Sequence, residues 1–264
     1  MDDTGAISPD DEEWSAHFVG ALGIELWEQG GITHGRAPIR PEMWAPGTDV
    51  VRLGVLATMV DMVVGSPPSG AINPTVDLRV TLLARPPAEG TVHLSCVPAK
   101  VGRRLFVGET VLHAGDPDQP FARSIATFMN QPIPGATTMY GFRDRPPLAA
   151  RSFDEILNSR FVAPGVVEMD AHPKVSNGPG GTIQGGAQAL LGEVAAEHAL
   201  EPRGHFAAVD LDIRYLNRVR TESVVANAKV LPGELGHVSV RVPISGVGDD
   251  GRIVSLVSVA CRKL

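Results

Sequence analysis

VDLRVTLLAR, residues 76–85, and VDLDIRYLNR, residues 209–218, read as one segment written twice. Val76, Asp77, Leu78, Leu83 and Arg85 recur as Val209, Asp210, Leu211, Leu216 and Arg218 at a single offset. The alternation recurs as well. Val76, Leu78, Val80 and Leu82 point one way, as do Val209, Leu211, Ile213 and Tyr215. Each segment is therefore expected to form a long strand with one buried face.

The repeat extends on both sides. Upstream lie two apolar helical stretches, LGVLATMVDMVV from Leu53 and GGAQALLGEVAAEHAL from Gly185, with Asp61 and Glu193 at comparable places. In the first, only Thr58 and Asp61 are polar, and a helix apolar nearly all round is buried on most faces. Downstream each copy carries three β-rich runs: TVHLSCVPAKV, RLFVGETVLHA and PFARSIATFMN, then ESVVANAKVL, HVSVRVPI and GRIVSLVSVACRKL. One further strand is expected to open each copy, roughly over 24–39 and 161–169. The order is then strand, long helix and a four-stranded meander, twice. This is an α+β chain of two units, each a sheet curled around its helix.

The units are expected at 1–130 and 159–264, joined by a Pro/Gly-rich linker and short helix over 131–158. Ser152 and Glu155 form a capping-box pattern that starts this short helix. Ser8 and Pro9 give a similar start signal near the N-terminus.

Composition narrows the function. Hydrophobic residues make up 43% and charged residues 20%, which suits a packed globular core. A net charge of -7 argues against a nucleic-acid binder. No apolar run is long enough to span a membrane, and the acidic start MDDTGAISPDDEEW lacks a signal-peptide layout, so the chain reads as cytoplasmic. Cys96 and Cys261 lack metal-ligand spacing and read as buried thiols, and there is neither HExxH nor GxSxG. No metal or redox cofactor is expected. Arg103-Arg104, His172 and His205 read as surface or structural residues.

The layout resembles the hotdog fold, in which an antiparallel sheet wraps a central helix. The segment NGPGGTIQGGAQALLGE, from Asn177 to Glu193, resembles the signature of hotdog acyl-CoA thioesterases of the phenylacetate-degradation type. The nearest match is a tandem form with two such units in one chain. Gly185 and Gly186 fall on the signature's glycine pair and Glu193 on its catalytic carboxylate. Gln184 stands where that family has His, and Asn177 lies one residue further upstream than usual. In the first copy Asp61 takes the carboxylate position, Leu53-Gly54 the glycine pair and Arg52 the His position. The resemblance implies hydrolysis of acyl-CoA or another acyl thioester, at sites formed across a two-unit interface.

The residues suit that chemistry. A helix N-terminus offers unpaired amides to an oxyanion, and glycine permits close approach. A carboxylate serves as general base or nucleophile. Gly185 and Glu193 lie about 12 Å apart along one helix, too far to share a carbonyl. Two antiparallel helices solve this. Asp61 then pairs with Gly185 as oxyanion donor, with Gln184, Asn177 and Gly186 around the substrate. The reciprocal site pairs Glu193 with the Leu53 amide and with Arg52, which is expected to form a salt bridge to it. Asp61 is expected to carry most of the turnover. Two alternatives stay open: a non-catalytic acyl-CoA-binding tandem, and a hotdog enoyl-CoA hydratase or dehydratase. The chains are further expected to associate as homo-oligomers.

Overall fold

The structure is a computed structural model that describes residues 17–66, 73–130, 152–177, 182–219, 223–232, 237–248 and 250–264. The Ser8 start signal, the linker over 131–151 and the glycine run at 178–181 lie outside the described residues.

The first half runs β1 (Glu25–Gln29), β2 (Ile32–Ile39), α1 (Leu53–Gly65), β3 (Thr75–Leu82), β4 (Gly90–Val101), β5 (Leu105–His113) and β6 (Ala122–Met129). Next come the short helix α2 (Phe153–Leu157), then β7 (Ser159–Ala163), β8 (Val166–Asp170), β9 (Ser176–Asn177) and β10 (Thr182–Ile183). The chain ends with α3 (Gly185–Leu200), β11 (Phe206–Tyr215), β12 (Ser223–Asn227), β13 (Lys229–Leu231), β14 (Val238–Gly246) and β15 (Ile253–Lys263). The capping box of α2 is formed. Ser152 Oγ accepts from the Glu155 N–H, and Glu155 returns a bond to the Ser152 N–H.

One antiparallel sheet of thirteen strands runs β1-β2-β4-β5-β6-β3-β11-β15-β14-β12-β8-β7, with β13 beside β14. Its middle is the repeated segment. Strand β3 pairs with β11, Leu78 opposite Ile213 and Val80 opposite Leu211. The offset that carries Val76 onto Val209 carries Arg79 onto Asp212, and those two residues sit directly opposite each other. A pseudo-twofold axis therefore passes through this pair. On the outer face Arg79 bonds Asp210, and Arg214 pairs with Asp77. Helix α1 packs on β2 to β6 and α3 on β8 and β11 to β15, and the helices also pack on each other. This is the hotdog arrangement, present twice around one continuous sheet.

Three expectations are corrected. The opening strand of each half is a hairpin. Gly30 and Gly31, at φ 63° and 76°, turn the chain between β1 and β2, and Pro164-Gly165 does so between β7 and β8. The strands after each helix are not a simple meander, because β3 and β11 leave their sequence neighbours to pair across the axis. The run 222–231 is divided between β12 and β13, which pair with β14 at separate places.

The two helices touch at glycines. A Cβ on Gly54 would lie 2.5 Å from Leu190 Cα, and one on Gly186 would lie 2.1 Å from Thr58 Oγ1. The obstacle at Gly54 is backbone, so an added methyl can be accommodated only by moving a helix. Gly54→Ala is expected to cost about 1–3 kcal/mol of stability, read as a lowered denaturation midpoint at unchanged denaturant slope.

Candidate active site

Each helix presents its N-terminus to the middle of the other. The two crossings are related by the repeat but are built differently.

At the first, the α1 N-terminus meets Glu193 of α3. Arg52 at the N-cap supplies no side-chain cap. The first amides are satisfied instead by a carboxylate from the other half. The Leu53 N–H donates to Glu193 Oε1 at 3.0 Å and the Gly54 N–H to Oε2 at 2.6 Å. Glu193 is 1% exposed and Leu53 fully buried, so Glu193 is no solvated surface residue. Burial pushes its carboxyl up to about 8, with the Glu197 charge adding to the rise and the two amide bonds opposing it.

The Leu53 amide expected to hold an oxyanion is thus occupied by the carboxylate expected to work beside it. Nor does Arg52 bind Glu193. Its guanidinium donates to both oxygens of Glu197, at 3.1 and 2.7 Å, and to Asp154 of α2. Glu197 lies one helical turn beyond Glu193, so both face the same way, and Glu193 is already engaged by backbone. Burial works against the Arg52 charge, but Glu197 and Asp154 outweigh it and hold the pKa above its usual value. This crossing is a closed polar clasp joining α1, α2 and α3.

At the second crossing, the α3 N-terminus meets Asp61 of α1. Gln184 is the N-cap, with Oε1 accepting from the Ala187 N–H at 2.9 Å. Its Nε2 donates to Asp61 Oδ2 at 3.4 Å, and the residue is 2% exposed. Both ends of the amide expected to meet the substrate are therefore used within the protein, one to cap the helix and one to orient the carboxylate. Asp61 Oδ1 accepts from Thr75 Oγ1 at 2.6 Å. Asp61 is only partly buried, yet desolvation raises its carboxyl to about 6, against the Thr75 bond that favours the charged form.

Asp61 stands to Gly185 and Gly186 as Glu193 stands to Leu53 and Gly54, but it is one methylene shorter. Among the described residues neither the Gly185 nor the Gly186 N–H has a hydrogen-bond partner. Among the described residues no carboxylate–amide bond forms here, where the other crossing has two. Nearby stands Tyr215, whose hydroxyl would be 2.9 Å from a Cβ on Gly185. Burial first, and then the Asp61 charge, hold its phenol well above the usual range, so it is an O–H donor at any working pH. Asn177 places its backbone in β9, opposite Thr182 in the two-stranded ribbon that leads into α3.

Thr75 and Tyr215 were missed in the sequence. Strict alternation puts Thr75 on the outer face with Asp77 and Arg79. A bulge between Thr75 and Asp77 breaks the count and lets Thr75 reach Asp61, and an equivalent bulge lies between Ala208 and Asp210. For Tyr215 a signal existed: it is the phenol on a face otherwise aliphatic in both copies, where the first copy has Leu82. Among the described residues no group of three or more His, Cys, Asp or Glu could hold a metal ion, and no helix is long and apolar enough to cross a membrane.

No family model and no curated protein matches the chain. Solved structures do. The tesB protein of Mycobacterium avium subs paratuberculosis superposes with a TM-score of 0.63 at 14% identity, over 92% of this chain and 97% of that one. A conserved protein of unknown function with hot dog fold from Alicyclobacillus acidocaldarius gives 0.61 at 14%, over 93% and 97%. The 12:0-ACP thioesterase of Umbellularia californica gives 0.60 at 9%, over 89% and 99%. At such identities the likeness establishes the hotdog fold along nearly the whole chain.

The Glu193 clasp makes a stability prediction. Glu193→Gln offers a single carbonyl oxygen in place of two acceptors, leaving one buried amide of α1 poorly paired. It is expected to cost about 1–3 kcal/mol in denaturant unfolding. Glu193→Ala, which strips both amides and opens a void, should cost more than Glu193→Gln in the same measurement.

Proposed function

We propose that the chain hydrolyses an acyl thioester at the Asp61 crossing, and that the Glu193 crossing is structural. The observation that carries this reading is the α3 N-terminus, where the Gly185 and Gly186 amides have no partner among the described residues and the Tyr215 phenol and the Asp61 carboxylate, of raised pKa, stand nearby. Several of the structural neighbours are named thioesterases, which agrees with the reading.

The thioester carbonyl sits at the α3 N-terminus with its oxygen toward the Gly185 N–H and the Tyr215 O–H. Asp61, held by Thr75 and Gln184, takes a proton from a water as the water oxygen attacks the carbonyl carbon. Negative charge then collects on the carbonyl oxygen, where the helix N-terminus and the phenol stabilise it more than in the ground state. When the carbonyl reforms, the C–S bond breaks and Asp61 passes the proton it took from water to the departing sulfur, which returns the carboxylate to its ionised form. The products are the free acid and the thiol. A base near pKa 6 is well matched to a proton transfer at neutral pH. Hydration or dehydration at carbon gains no support, since among the described residues no histidine hydrogen-bonds to Asp61.

The test is release of free thiol from a panel of acyl-CoAs. Asp61→Asn, close in shape, is expected to lower kcat/KM by about 10²–10⁴. Tyr215→Phe should lower kcat by about 10²–10³, the loss of one oxyanion donor. Because Asp61 must be ionised to act, kcat/KM should rise with pH through about 6 and level off above it. A Glu193→Gln variant as impaired as Asp61→Asn, at a temperature where both are folded, would move the chemistry to the other crossing. Binding of acyl-CoA with no thiol release from any member would make the protein a binding module.

A further inference from the structure

The end of β4, the turn after it and the first residue of β5 read VPAKVGRRL, residues 97–105, a stretch with three cations and no acid in a chain of net charge -7. All of it except Gly102 is exposed, Val101 at 72% and Val97 at 54%. Leu105 lies directly opposite Met129 at the end of β6, and both are exposed too. Among the described residues Lys100, Arg103 and Arg104 form no ion pair. The carboxylates on adjoining segments are engaged elsewhere. Glu109, opposite Val97, pairs with Arg123 at 3.7 Å, and Glu28 before the β1–β2 turn accepts from the Gly31 N–H.

The hairpin tip is also built to leave water intact. Pairing of β2 with β4 stops at His34 and Ser95, so the remainder of β4, to Val101, is held on one side only, by β5. The peptide groups of the turn are nevertheless paired. The Gly102 N–H donates to Leu105 O at 2.9 Å, the Asn130 N–H to Arg104 O at 2.8 Å, and the Asn130 side-chain amide to Gly102 O at 2.7 Å. A backbone group is costly in an apolar phase only when it is unpaired, so these can enter one.

The chemistry of the tip selects its partner. A nucleotide or polyphosphate would answer the cations but leave Val97, Val101 and Leu105 in water. An anionic bilayer answers both, because headgroup charge and hydrocarbon lie within a few ångströms of each other. The exposed Phe161 and Val162 of β7 offer a contrast. Their neighbour Arg160 is tied to Glu168 and Asp170, so that edge has no comparable charge to offer.

We propose that the β4–β5 tip docks the protein on an anionic lipid surface, with Val101 and Leu105 entering the boundary between headgroups and acyl chains and Lys100, Arg103 and Arg104 meeting lipid phosphates. The inference is independent of the thioesterase reading.

The test is flotation of the full chain with vesicles of phosphatidylcholine alone and of an equimolar mixture with phosphatidylglycerol. Binding is expected on the mixed vesicles only, and it should fall as added salt shortens the screening length. Replacing both arginines, Arg103→Ser with Arg104→Ser, should weaken it about thirtyfold, since each cation near such a surface contributes a factor of about five. Val101→Ser keeps every charge and should weaken it about tenfold, because that side chain leaves water in the bound state. Thermal melts of the variants should match the parent, since the substituted side chains are exposed. Absence of flotation with the mixed vesicles overturns the proposal, as does flotation that neither set of substitutions weakens. A chain held by its arginines alone, with Val101→Ser binding as well as the parent, refutes insertion of the tip. Arginine-dependent binding of poly-glutamate or of free CoA by a chain that ignores vesicles assigns the patch to an acidic protein or a nucleotide instead, and equally overturns the proposal.

Discussion

Two antiparallel helices approach so closely at Gly54 and Gly186 that no side chain fits between them. Most of the functional geometry follows from this contact. Because the helices run in opposite directions, each N-terminus lies beside the middle of its neighbour. A carboxylate two turns into one helix is thereby delivered to the free amides of the other. Neither half could do this alone, since the same two groups on one helix are about 12 Å apart. The β3–β11 pairing serves the same constraint. It joins the two halves into one sheet along the pseudo-twofold axis, and the sheet then fixes how the helices lie.

Within this near-symmetric frame, one methylene separates the two crossings. Glu193 reaches the amides of Leu53 and Gly54 and closes on them. Asp61 makes no such bond to Gly185 or Gly186. The neighbouring residues reinforce the difference. Around Glu193 stand a buried leucine and an arginine tied to Glu197 and Asp154, so the surroundings are filled and the one cation is shared among acids. Around Asp61 stand a glycine, a phenol and two donors, Thr75 and Gln184, that hold the carboxylate. Two equivalent positions of the repeat are thus built differently, one as a closed clasp and one with its helix amides unpaired among the described residues.

The sequence made the frame readable because the repeat and the helix periodicity are local signals. The paired strands, both helices and the two carboxylates could be named from residue types and spacing. What could not be read depended on long-range geometry. The partner of Arg52 was assigned to Glu193, yet the guanidinium reaches Glu197 and Asp154, and Asp154 lies some hundred residues away in the chain. Thr75 was hidden by a bulge, because one extra residue in a strand reverses the faces that alternation predicts. Gln184 was recognised as standing at the signature's His position, but its amide is divided between capping α3 and holding Asp61, a partnership set by the fold.

The energetic cost of the Asp61 crossing explains why such an arrangement is unusual. A half-desolvated carboxylate facing unpaired amides forgoes hydrogen bonds that an added methylene would supply, as the Glu193 crossing demonstrates within the same molecule. Desolvation raises its pKa, and the Thr75 hydroxyl bond opposes that rise. A cost of this kind persists where the surrounding structure over-determines it. Here the close helix contact, the continuous sheet and the Glu193 clasp supply that rigidity. One crossing therefore ties the helix pair together, and the other leaves its two amides without a carboxylate partner among the described residues.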